Sequence, residues 1–133
     1  MNRITLKLAL LTALLTPLPG HAEELIKEFK GSRSTHTLEF DVQAPWILDW
    51  RLSGDGNQVS AVDVSLFNAG TGVHEGVVLR SKMPGNGVRM FDKSGRFYFR
   101  IDATLMDWTL KVIQLTEEEA KAYTPKSNHI LDR

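Results

Sequence analysis

Arg96, Tyr98 and Arg100 stand at every second position of one run, and that spacing puts three hydrogen-bonding side chains on the same side of an extended strand. A guanidinium forks onto carboxylates, and a tyrosine joins an apolar ring to a hydroxyl. The trio therefore has the chemistry to grip a protein, an acidic glycan or a lipid headgroup. Arg51 and Lys111 occupy the polar rows of two other runs. If those strands neighbour the first, Asp49, Arg51, Arg96, Tyr98, Arg100, Thr109 and Lys111 share one surface. The competing reading is a solvated ladder of cross-strand ion pairs with Asp49, Asp102 and Asp107, each worth about 0–1 kcal/mol.

Trp46, Trp50 and Trp108 raise a second possibility, because flat aromatic faces stack on sugar rings. Trp50 and Trp108 fall on rows shared with Leu48, Leu52, Leu110 and Val112, which period two sends to the core. Trp46 shares that inward row, but it begins its strand directly after Pro45, where a rim position is the alternative, so it is the tryptophan on which a carbohydrate-binding reading depends. A third reading is a small hydrolase built on Asp49, Asp102 and Asp107, which would need two of those carboxyls to face each other across a cleft. Metal ligation has little support: His36, His74 and His129 are widely spaced, and His74-Glu75 lacks the partner one helical turn on. Asp55-Gly56-Asn57 begins like a calcium loop but lacks its later carboxylates, and Asp-Gly between strands is first of all a turn. No serine nucleophile elbow or phosphate-cradling loop occurs, and no motif requires a cofactor.

These residues need rigid elements to hold them, and the pattern is that of a β protein. Short segments of alternating polarity are separated about every eight to twelve residues by Gly, Asn, Asp and Pro clusters. The first strand is expected near residues 25–30. In the next, Leu38, Phe40 and Val42 alternate with Thr37, Glu39 and Asp41. Trp46, Leu48, Trp50 and Leu52 form the clearest inward row, opposite Ile47, Asp49, Arg51 and Ser53. Val62, Val64 and Leu66 follow, and residues 77–81 make a weaker strand expected at a sheet edge. Met83-Pro84-Gly85-Asn86-Gly87 is expected to reverse the chain, residues 88–91 to form a short strand, and Asp92-Lys93-Ser94-Gly95 to close a tight hairpin. Phe97, Phe99 and Ile101 then face inward, as do Trp108, Leu110 and Val112.

Thr116-Glu117-Glu118-Glu119 is a capping-box pattern and predicts a short helix through Tyr123, stopped by Pro125. Ile130 and Leu131 are candidate docking residues in a polar tail. About eight strands, mostly joined by hairpins, predict an all-β fold: a two-sheet antiparallel β-sandwich of jelly-roll or Greek-key type with a short C-terminal helix.

The start of the chain differs in kind. Arg3 and Lys7 flank a short basic segment, residues 8–15 are apolar but for Thr12, and Gly20-His21-Ala22 places small residues three and one before a possible cut. That is the pattern of a cleaved secretory signal, and the apolar run falls short of the roughly 20 residues that span a bilayer. The expected organisation is therefore a signal over residues 1–22, a sandwich over 23–115, and a helix and tail over 116–133. The whole chain of 133 residues balances 16 basic against 16 acidic side chains and has no cysteine. Loss of Arg3 and Lys7 with the signal would leave a slight acidic excess, so charge nominates no nucleic acid or other polyanion. Without disulfides, stability rests on the hydrophobic core.

Phe29-Lys30-Gly31-Ser32, residues 35–42 and Ala44-Pro45-Trp46-Ile47-Leu48-Asp49-Trp50 resemble small exported bacterial β-sandwich domains, largely of unassigned function. Gly95-Arg96-Phe97-Tyr98-Phe99-Arg100-Ile101 followed by Trp108-Thr109-Leu110-Lys111-Val112 carries the same likeness. In those domains a Phe-x-Gly strand precedes a Pro-Trp strand, and a Gly-x-Phe-Tyr strand precedes a final Trp strand. The similarity covers most of residues 24–114. It implies an exported, non-enzymatic module and transfers no catalytic or ligand residue. The resulting expectation is a periplasmic or secreted binding module, free of the membrane after signal cleavage, with an envelope protein or a glycan as partner. Arg96, Tyr98, Arg100, Arg51, Lys111 and Trp46 are its candidate contact residues.

Overall fold

The computed structural model describes residues 23–55 and 59–123. The expected signal segment, part of the Gly54-Asp55-Gly56-Asn57 turn, and the tail with Pro125, Ile130 and Leu131 lie outside the described residues. Within them are nine strands: β1 (Glu24–Gly31), β2 (Thr35–His36), β3 (Phe40–Val42), β4 (Trp46–Ser53), β5 (Ala61–Asn68), β6 (His74–Ser81), β7 (Gly85–Phe91), β8 (Gly95–Thr104) and β9 (Asp107–Gln114). One short helix follows, α1 (Glu117–Ala120).

The strands form two antiparallel sheets. The first has the order β1-β9-β4-β7; the second runs β2-β8-β5-β6, with β3 also on β8. Their inner faces carry the predicted rows. Leu48, Val64, Phe99, Ile101, Leu110 and Val112 are fully buried, each worth about 1.5–3 kcal/mol of burial. Phe40 joins the layers, with its ring centroid 5.2 Å from Phe99 and 5.9 Å from Trp46.

Alternation is a local property and survives almost unchanged; connectivity does not. Among the described residues, only β5 and β6 form a hairpin of consecutive paired strands. The turn after β7 was expected to fold back on itself and instead carries the chain from one sheet to the other. It is tied to the loop before β4: Ala44 N–H donates to Ser94 Oγ at 2.7 Å, and the Trp46 indole N–H donates to the Lys93 carbonyl at 2.9 Å. Gly85-Asn86-Gly87, expected as a reversal, is strand: it pairs with Leu52, Arg51 and Trp50 of β4.

The strand expected at residues 37–42 is likewise shortened: only Phe40–Val42 are strand, and residues 37–39 separate them from β2. The Thr37 hydroxyl accepts from Phe99 N–H at 3.0 Å while Thr37 N–H donates to the Phe99 carbonyl at 2.9 Å. A side chain thus takes the place of a backbone acceptor, the ladder stops, and Leu38 turns outward to 74% exposure instead of joining the core.

The capping box forms as the sequence dictates. Glu119 N–H donates to Thr116 Oγ1 at 3.1 Å and Thr116 N–H donates to Glu119 Oε1 at 2.8 Å. The helix is a single turn, so its role is packing. Ala120 and Leu115 bury Ile47 against the outside of the first sheet, with Met90, Ile113 and Tyr123 around them. Ile47 was expected in the solvent-facing row and is 1% exposed because α1 covers it. Tyr123 O–H donates to Glu23 Oε2 at 2.6 Å, which ties the two ends of the described chain together. That bond, with burial and the nearby charges of Glu23, Asp49 and Glu119, pushes the phenol up to about 12.

Candidate functional site

Arg96, Tyr98 and Arg100 lie on the outer face of the second sheet, as the alternation of β8 requires, because Phe97, Phe99 and Ile101 are buried on its inner face. Arg51 and Lys111 do not join them. β4 and β9 belong to the first sheet, so Asp49, Arg51, Thr109 and Lys111 occupy the opposite outer surface of the sandwich. The single surface expected from the sequence is therefore two surfaces, and the cause is connectivity: β8 is followed by a crossover rather than a hairpin.

Trp46 is corrected as well. It is fully buried, its ring stacked on Phe91 at 4.2 Å, and its indole N–H is satisfied by Lys93. Its inward place on β4 holds and the rim alternative does not: it is more buried than Trp50, and it presents no face to a sugar. The three aspartates of the hydrolase reading are also dispersed. Asp102 sits on the second sheet, whereas Asp49 and Asp107 sit on the first. Asp107 pairs with Ser53, four residues along β4 from Asp49, a separation of about 13 Å on an extended strand.

What the fold does assemble around Tyr98 is a column of rings running across four strands. β2 and β5 flank β8 on either side, and β6 flanks β5. His36 on β2 stacks on Tyr98 with centroids 5.8 Å apart. On the other side Tyr98 stacks on Phe67, its register partner, at 5.2 Å and 10° between planes. Beyond it His74, the β6 partner of Phe67, packs at 5.0 Å. The Arg100 guanidinium carbon lies 5.3 Å from the Phe67 centroid. Cross-strand aromatic pairs of this kind add about 0.5–1.5 kcal/mol beyond area burial.

Charges frame the column in compensated pairs. Arg96 Nε lies 3.3 Å from Glu39 and 3.8 Å from Asp41; Arg100 Nε is 3.9 Å from Asp102. Asp63 and Asp102 are register partners of like charge, and Arg80 meets Asp63 at 2.8 Å. Part of the expected ion-pair ladder is thus present, with Glu39 and Asp41 taking the role expected of Asp49 and Asp107.

Phe67 is the residue that sequence reasoning passed over. It follows Leu66 in the row Val62, Val64, Leu66, so period two already placed it outside; a large aromatic on a polar row was the available signal. His36 and His74 had been weighed only as metal ligands. Among the described residues no three His, Cys, Asp or Glu side chains are grouped to hold a metal ion.

The ring geometry discriminates between ligand classes. A pyranose needs an open ring face, and Tyr98 is stacked by two rings, His36 and Phe67, while Phe67 is stacked on Tyr98 and meets His74 at a tilt of 58°. The column carries the tyrosine hydroxyl and is flanked by the Arg96 and Arg100 guanidinium groups. No protein-family model matches the chain, and no curated protein matches it.

Proposed function

We propose that the chain is a non-catalytic periplasmic or secreted interaction module that engages an envelope protein through the outer face of its second sheet. The observation that carries this reading is the column His36–Tyr98–Phe67–His74, crossed by Arg100, on a face the helix leaves open. Tyrosine and arginine are the residues that most often dominate binding energy at protein interfaces. Ordering the side chains beforehand lowers the entropic cost of docking. Charge on this face is compensated pair by pair, which favours a mixed-charge protein surface over a polyanion.

The test is capture of partners from envelope extract by the wild type, by a variant combining Arg96→Ala, Tyr98→Ala and Arg100→Ala, and by one combining Arg51→Ala and Lys111→Ala. The expected result is a partner retained by the second variant and lost from the first, with both still melting cooperatively. A partner held equally by all three, or by none, rejects the reading.

A further inference from the structure

Open sandwiches expose strand edges, and natural edges are blunted by bulges, short strands or charges. β1 has a register shift between Leu25 and Lys27 and carries Glu24, Lys27, Glu28 and Lys30. β6 has two register shifts, and β2 and β3 are two and three residues long. β7 differs from all of these. Its seven residues pair with β4 without interruption from Phe91 to Gly85, and Arg89 is its sole charge. Its other side faces no strand among the described residues, so alternate backbone N–H and C=O groups point away from β4 unpaired by any ladder.

A cleft of about 190 Å³ opens at the same place, between β7 and the β6 edge of the other sheet. Leu66, Val78, Phe91 and Phe97 line its apolar part, over the buried Trp46, and at its rim Glu75 is paired with Lys93 at 2.9 Å, beside Asp92. A cavity of roughly 150 Å³ holds a benzene ring, so this one accommodates a single branched or aromatic side chain. Gly76 is at its mouth, where an added Cβ would meet nothing within 4 Å. Arg89 points to the inner side of β7, donates one hydrogen bond to the Val77 carbonyl at 3.1 Å and stands 5.5 Å from the Phe91 centroid. Among the described residues it makes no ion pair.

We propose that the β7 edge takes an extended segment of a partner protein as an added strand, with an apolar side chain of that segment entering the cleft and an acidic one pairing with Arg89. Main-chain pairing supplies affinity and the alternate side chains supply selectivity. Phe91 and Arg89 are two apart on the inner face, so the added strand carries the pattern apolar-x-acidic. An inward arginine also makes the edge selective. Covering it without an acid would leave a buried, unpaired charge.

The probe is a set of eight-residue peptides alternating threonine with valine, identical except that one inward valine is replaced by glutamate in one and by lysine in another. Amide chemical shifts and exchange protection of the protein report where each binds. The glutamate peptide is expected to protect β7 amides and to bind about tenfold more tightly than the lysine peptide. Arg89→Glu should invert the preference and Arg89→Gln abolish it, each with the melting temperature confirming the fold. Equal binding of the two peptides, protection on β1 or β6 instead, or no binding overturns the proposal. Protection of β7 in a peptide-free dimer assigns the edge to a second copy and overturns it too.

Discussion

The indole of Trp50 lies over Gly87 so closely that a Cβ built at position 87 would stand 2.5 Å from Cζ2. The far edge of the same sheet repeats the arrangement, with Trp108 at 2.5 Å from a Cβ built on Gly31. In both cases a tryptophan on an inner strand covers a glycine on the edge strand paired with it. The glycine removes the side chain that would compete for the space, and the indole replaces the burial a larger edge residue would have supplied.

Gly87→Ala is therefore expected to destabilise the fold by about 1–3 kcal/mol through overpacking against Trp50. Gly85→Ala, in the same strand, meets nothing within 4 Å and is expected to be neutral or slightly stabilising. Urea denaturation of the two variants checks this, and equal midpoints would show that the indole yields freely.

On the candidate face, Tyr98→Ala is expected to cost about 0.5–1.5 kcal/mol from the lost stack with Phe67. Arg96→Ala is expected to cost about 0–1 kcal/mol, since its ion pairs are exposed. A double-mutant cycle between Tyr98 and Phe67 measures the coupling directly; a value near zero would mean the rings merely adjoin.

Tyr123 gives a pH prediction with a definite sign. Its phenol is held protonated by Glu23 and titrates near pH 12 in the fold, against 10.0 when unperturbed. The folded value is raised, so its contribution is full below pH 10 and is lost as pH climbs from 10 through 12. Ultraviolet titration of the phenolate should show one midpoint near 12, and Glu23→Gln should move it down. An unmoved midpoint would assign the shift to burial instead.

Thr116→Ala is expected to remove about 1 kcal/mol of capping and to loosen α1 from Ile47. Hydrogen exchange should rise at residues 117–123 and leave β8 protected. Uniform loss across the sandwich would place the helix inside the cooperative core.

How far the sequence carried depended on whether a feature was local. The inward rows of β4, β8 and β9 and the Thr116–Glu119 cap were legible because period two and the capping box are set within a few residues. Sheet membership was not, because the crossover after β7 depends on Ser94 and Lys93 meeting Ala44 and Trp46, some 50 residues away. Two of the six candidate contacts failed because β8 lies in one sheet and β4 and β9 in the other: Arg51 and Lys111 were assigned correctly to an outer row, but of the other sheet. Trp46 was misjudged because its neighbour Pro45 marks a strand end, while Phe91 and Phe40 close over it from distant segments.

The place of β9 in the sheet order carries a temporal meaning. It is the last strand among the described residues, yet it sits between β1 and β4. During synthesis β1 has no neighbour in its own sheet until β9, from residue 107 on, has been made, whereas the β5–β6 hairpin pairs strands adjacent in sequence. Chains dominated by such distant pairings fold slowly. The first sheet therefore cannot grow outward from its beginning: β1 is held apart from β4 until β9 has been made and inserts between them.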